Sequence, residues 1–134
     1  MRVFVIAGFV LALAACGGGA APLTQEQAQH CGVHVYFLTN ATPAEEHAVA
    51  AKLKADGRVK TLTFVSKAQA LAKMKKEFPK LFRSGVDIGN PLPDAYTAVP
   101  ATLADIPGIR DEIAQAHLPG VQRVLTNSLP LCQA

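Results

Sequence analysis

The stretch VHVYFLTNATPAE, residues 33–45, changes its structural character partway along. Residues 33–38 are β-branched and aromatic, the composition of a strand. Thr42 then stands where a helix N-cap belongs. Pro43 suits the first helical position, because its missing N–H would have had no partner there, and Glu45 completes a capping box. A strand therefore leads into a helix. That helix is expected to run to about Asp56 with Val49, Ala50 and Leu53 on one face, and to stop at Gly57. VKTLTFV, residues 59–65, reads as a second strand, so the unit is β-α-β.

Working outward toward the C-terminus, SKAQ repeats the capping-box pattern with Ser66 and Gln69. It opens a helix whose Leu71, Met74 and Phe78 fall at i, i+3 and i+7 until Pro79 ends it. After the turn-rich GNPLPD comes AYTAV, residues 95–99, a short strand with Pro100 at its far end. A last helix is expected over residues 107–116, carrying Ile109 and Ile113 with Ile106 just before it, and residues 121–126 form a fourth strand. ADGRVKTL and LPGVQRVL echo one another, each placing a glycine after a helix and a valine at or near the next strand. The fold class is α+β: a ferredoxin-like split β-α-β lobe of four antiparallel strands and two helices, with a small helical lobe, residues 66–93, inserted between the halves.

Toward the N-terminus, Met1-Arg2 precedes an uncharged apolar run over residues 3–15, too short to span a bilayer and of the length of a signal-peptide core. It closes as LAAC and continues as GGGAAP. This resembles a lipobox, which makes residues 1–15 a lipoprotein signal peptide and Cys16 the lipidated (palmitate-bearing) first residue of the mature chain; the alternative is a plain secretory signal with an incidental cysteine. Residues 16–30, rich in Gly, Ala and Gln, read as a flexible tether and residues 31–134 as the one folded domain. Of the three cysteines, Cys31 and Cys132 remain at the two ends of the domain, in an oxidising compartment. In the split β-α-β order the first and last strands are antiparallel neighbours, which brings the start of one beside the end of the other. A Cys31–Cys132 disulfide is expected on both grounds.

Charge is unevenly spread. Residues 52–83 hold ten Lys and Arg against Asp56 and Glu77, while the rest of the mature chain sets Arg110 and Arg123 against eight acids. Such a run usually forms a solvated face, and it also fits an acidic envelope polymer or partner; nucleic acid is not a partner for an exported lipoprotein. His30, His34, His47 and His117 lie on different elements and do not converge into a catalytic set. HCGVH, residues 30–34, admits a second reading as a metal-handling lipoprotein using His30, Cys31 and His34, set against the prior use of Cys31 in the bridge. No catalytic residue, metal site or cofactor is assigned.

VYFLTNATPAEE, VKTLTFVSKAQAL and GNPLPDAY together resemble the extracellular domain of the bacterial cell-division protein FtsX, over residues 33–126. The most specific parts are FVSKAQAL, residues 64–71, and NPLP, residues 90–93, in that order around a phenylalanine-bearing insertion. The resemblance implies a ferredoxin-like lobe plus a small helical lobe, without a catalytic centre. It also implies a partner, a peptidoglycan hydrolase or its activator, on the outer side of the cytoplasmic membrane. In that family the domain is inserted in a membrane permease driven by an ATPase. This sequence has no transmembrane helix, so contact with the membrane is expected through the lipid anchor only.

EFPKLF, residues 77–82, sets apolar side chains in basic, proline-broken sequence. A lobe of this size cannot bury them all, and a contiguous exposed apolar patch marks an interaction surface. Met74, Phe78, Leu81 and Phe82 are the candidate partner-binding residues. The competing reading is a private mini-core closed by Phe82, Ile88 and Leu92.

Overall fold

The structure, a computed structural model, describes residues 19–82 and 89–133. The expected signal peptide, residues 1–15, Cys16 and Ile88 lie outside the described residues. Four strands, β1 (Val33–Phe37), β2 (Val59–Val65), β3 (Ala95–Pro100) and β4 (Val121–Thr126), form one sheet in the order β2-β3-β1-β4. All three pairings are antiparallel. This is the order expected of a split β-α-β pair, with the first and last strands side by side.

Strand alternation assigns the faces. Along β1, Val33, Val35 and Phe37 are fully buried while His34 and Tyr36 are half-buried, as successive side chains of a strand point opposite ways. The buried set packs with Val49 and Leu53 of α2 (Pro43–Ala55), Ile106, Ile109 and Ile113 of α4 (Asp105–Gln115), and Ala98 of β3. Each large side chain so covered contributes about 1.5–3 kcal/mol relative to exposure. The two helices therefore cover one face of the sheet. Thr42 caps α2 as its sequence requires, its hydroxyl accepting from the Glu45 N–H (3.3 Å) while the Glu45 carboxylate accepts from the Thr42 N–H (2.7 Å).

Helix α4 begins two residues before the expected Pro107. A proline in the first turn removes an N–H that has no helical partner. The carboxylate of Asp105 accepts from the Thr102 N–H (3.1 Å) and hydroxyl (2.7 Å), which folds the entry turn. At the same end of the helical layer, where the Ala101 N–H donates to the Arg58 carbonyl at 2.9 Å, Asp56 receives three hydrogen bonds from Arg58: backbone N–H at 2.9 Å, Nε at 2.9 Å and Nη2 at 2.7 Å. Those bonds from the guanidinium, opposed by partial burial, hold the Asp56 carboxyl below its ordinary value. Arg58 Nη2 also reaches Glu112 of α4 at 2.6 Å, so the turn after α2 is tied to the neighbouring helix.

The two ends of the domain meet at the opposite pole from Phe37 and Val65, where β1 and β2 end. Cys31 and Cys132 are joined by a disulfide with Cα atoms 5.3 Å apart, and both are buried. Residues 25–30 differ from the tether expectation: they form a helix, α1 (Gln25–His30), opened by a Thr24–Gln27 capping box. The Gln27 Nε2 donates to the Leu131 carbonyl at 3.1 Å, fastening α1 to the C-terminal 3-10 turn (Pro130–Cys132). Because α1 buries no residue, it carries no apolar periodicity to read. Core and bridge close within residues 31–132, which gives this stretch what a domain needs to fold by itself.

Candidate functional site

The face of the sheet away from α2 and α4 presents His34 and Tyr36 of β1. By register these lie beside Thr97 and Ala95 of β3, which in turn pair with Thr63 and Val65 of β2. On the other flank His34 and Tyr36 oppose Leu125 and Arg123 of β4. Above one end of this face stands the inserted lobe, made of α3 (Lys67–Glu77) and a 3-10 turn (Pro79–Phe82).

The lobe is fastened at its root. Ser66 caps α3, accepting from the Gln69 N–H at 3.2 Å. The Lys67 N–H donates to Asp94 Oδ1 at 2.6 Å, and Asn90 Nδ2 donates to the Lys67 carbonyl at 2.7 Å. Asn90 Oδ1 also accepts from the Leu92 N–H at 3.1 Å, an Asx turn that bends the return segment. The asparagine of NPLP thus stitches the strand-bound end of the insertion to the start of its helix. Negative charge gathers at this root: the Glu46 carboxyl is pushed up by burial first and by Asp94 second, and the Tyr96 phenol by burial and then by Glu46.

Beyond the root, α3 stands off the sheet and buries no residue. The space between is a groove of about 350 Å³. Ala70, Met74 and Phe78, one turn apart along the helix, line it with Lys73 and Glu77. His34, Tyr36 and Thr97 line it from the sheet, and Val65, Leu92 and Pro93 close its root. Of the four residues singled out in the sequence, Met74 and Phe78 face the groove. Phe78 is nevertheless 53 % exposed. Leu81, at 69 %, lies on the 3-10 turn outside the lining, and Phe82 is half-buried with the Lys75 ammonium 5.8 Å above its ring. Leu71, expected to pack with Met74 and Phe78, does not line the groove. The competing mini-core of Phe82, Ile88 and Leu92 falls partly outside the described residues, through Ile88; Phe78 and Leu81 stay exposed.

Of the sheet half of the groove, only His34 was singled out in the sequence, and as a metal ligand, although the alternation VHVYF places His34 and Tyr36 opposite the core. His34 Nε2 donates to Asn127 Oδ1 at 2.6 Å, and in that tautomer Nδ1 accepts from the Thr97 hydroxyl at 3.0 Å. The Arg123 guanidinium lies 5.1 Å from the centroid of the Tyr36 ring, a cation–π contact. The metal reading of HCGVH does not survive this geometry. The sulfur of Cys31 is bonded to Cys132, both ring nitrogens of His34 are engaged, and no group of three His, Cys, Asp or Glu converges among the described residues. No helix among the described residues is long and apolar enough to cross a membrane.

A family model described as FtsX extracellular domain matches residues 30–128. Among solved structures, extracellular domain 1 of FtsX from S. pneumoniae in complex with undecyl-maltoside is 23 % identical with a TM-score of 0.58, covering 79 % of this chain and 98 % of that one. The solution structure of the large extracellular loop of FtsX in Streptococcus pneumoniae is 24 % identical with a TM-score of 0.57, covering 71 % of this chain and 97 % of that one. At these identities the likeness speaks for the fold. No curated protein matches at a significant level.

Proposed function

The chain belongs to the FtsX extracellular-domain family, a non-catalytic domain of cell division outside the cytoplasmic membrane, and from that premise we propose that it is a lipid-anchored docking module for a peptidoglycan hydrolase or its activator. The observation that carries the reading is the exposure of Phe78 and Leu81 on a lobe whose helix buries nothing. Ordered aromatic and aliphatic side chains left half-covered beside an apolar groove are what a partner's side chains can complete. The polarity of the domain supports it. The lobe is rooted where β1 ends, whereas α1 and the tether leave from the bridged end where β1 begins, roughly 16 Å away along the strand. An anchor at Cys16 would hold the bridged end toward the membrane and leave the lobe reaching outward. The relative solved with undecyl-maltoside, an alkyl glycoside, further supports an apolar docking region in this fold.

The test is site-specific photocrosslinking in cells from a probe at Leu81, with a second probe at Glu26 on α1 as a distant control. Covalent capture of a cell-wall hydrolase or its activator from position 81, and not from position 26, is the expected result. Capture of neither from position 81 would overturn the reading.

A further inference from the structure

The geometry points to the groove under α3 as a site for an anionic single-chain lipid, its acyl chain along Met74 and Phe78 and its acidic head held by Lys73 and Arg123. This rests on the reading of the groove as a docking surface and names a small ligand that shares it. The volume of about 350 Å³ lies at the small end of the ~300–1,000 Å³ of small-molecule sites. Ala70, Met74 and Phe78 form an apolar stripe about 12 Å long, eight residues at ~1.5 Å each, the reach of a medium-length acyl chain.

Polar groups decide the class of occupant. Both ring nitrogens of His34 are taken by Thr97 and Asn127, and no buried side-chain polar atom among the described residues lacks a partner. The apolar stripe of Ala70, Met74 and Phe78 offers no hydrogen-bond partner to the backbone of an extended peptide laid along it, and an acyl chain needs none. A whole helix, about 10 Å across, is too wide for the space.

Charge decides the head. Arg123 touches the Tyr36 ring and has no carboxylate within ion-pair distance among the described residues. Lys73 makes a loose, exposed pair with Glu77 at 3.8 Å. Lys75, Lys76 and Lys80 add positive charge on the same lobe, so at the rim an anion meets an excess of cations over Glu77, while Asp94 and Glu46 keep the acidic head away from the root.

The experiment titrates residues 19–133, which hold the core, the bridge and the groove, with dodecyl phosphate and separately with dodecyl maltoside, both below their micelle concentrations. Calorimetry reads affinity and amide NMR reads location. Dodecyl phosphate is expected to bind about tenfold more tightly, since rim-exposed ion pairs are worth up to about fivefold each. Shifts should centre on His34, Ala70, Met74 and Phe78. Each methylene removed from the chain should weaken binding about fourfold. The double variant Lys73→Gln, Arg123→Gln should bind the two amphiphiles alike, and Phe78→Ala should weaken both, with unchanged melting of the double variant confirming its fold. Equal affinities in the wild type, a phosphate preference that survives the double variant, or shifts away from the groove would overturn the proposal. So would a second copy occupying the groove, seen as a dimer that excludes dodecyl phosphate, or an acidic peptide that binds there when dodecyl phosphate does not. These measurements need no protein partner, so their failure leaves the crosslinking test at Leu81 standing on its own.

Discussion

Replacing Phe78 with alanine separates a docking residue from a core residue. Full burial of a phenylalanine stabilises by about 1.5–3 kcal/mol. Phe78 is 53 % exposed, so roughly half of that, on the order of 1 kcal/mol, is at stake in folding. The exposed half is available to a partner, and an aromatic anchor desolvated at the centre of an interface is worth about 2 kcal/mol or more, close to thirtyfold in Kd. Leu53 on α2 supplies the contrast. It has no exposed surface, and Leu53→Ala is expected to cost about 3–5 kcal/mol in folding with no direct effect on binding. For a domain of this size that is a melting-temperature drop on the order of 10–20 °C, against about 5 °C for Phe78→Ala. Both variants are melted by calorimetry, and their affinities for the partner captured at Leu81 are measured at a temperature where each is folded. If Phe78→Ala melts as early as Leu53→Ala and then binds normally when folded, Phe78 belongs to a core and the docking assignment is wrong.

Other consequences are as direct. The Cys31–Cys132 bridge spans 101 residues of sequence; the chain-entropy model puts its worth near 4.7 kcal/mol, with ~2–4 typical. Reduction should therefore lower the melting temperature by roughly 10 °C or more, and two titratable thiols in the denatured, unreduced domain would disprove the bridge. Because the folded-state Asp56 carboxyl lies below its ordinary value, its stabilisation is full above the unfolded pKa of about 4 and is lost as pH falls through the folded value. Asp56→Asn should thus cost about 1–2 kcal/mol near neutral pH, a gap that urea titrations should show closing below about pH 4. A Cβ on Gly32 would come within 2.9 Å of the Ala98 carbonyl oxygen, in the backbone of the adjacent strand, so Gly32→Ala should cost about 1–3 kcal/mol. Gly57→Ala, with nothing within 4 Å, should leave the urea midpoint nearly unchanged. Cys16→Ser should release the protein from the membrane fraction, and unaltered fractionation with an unmodified N-terminal mass in the wild type would refute lipidation.

The elements of the sheet lobe were legible because their determinants are local. Thr42-Pro43-Ala44-Glu45 and Ser66 with Gln69 cap their helices within one turn, and the alternation of Val33, Val35 and Phe37 declares a core face without reference to the rest of the chain. Strand order followed from the repeated β-α-β unit, and with it the meeting of Cys31 and Cys132. Where the expectation failed, a local signal, the Thr24–Gln27 capping box, stood without an apolar stripe behind it, and a non-local contact completes the helix's hold. Helix α1 is held by a hydrogen bond from Gln27 to Leu131, across a sequence separation of 104, and no apolar pattern announces it.

The candidate site divides in the same way. Met74, Phe78, Leu81 and Phe82 stood out because apolar side chains in basic, proline-broken sequence conflict with their surroundings. His34, Tyr36, Thr97 and Arg123 conflict with nothing as residues of ordinary strands. His34, Tyr36 and Thr97 become one wall of a groove, with Arg123 set against the Tyr36 ring beside it, only because antiparallel pairing sets β1 between β3 and β4, and because Asp94 and Asn90 hold the root of α3 above that face. The sequence by itself determined where α2, α3 and the four strands begin and which side of α2 and β1 is apolar, since capping and side-chain alternation act over a few residues. Only the tertiary structure decided that α3 would stand off the sheet and leave Phe78 half uncovered, since burial depends on which surfaces from distant parts of the chain come together.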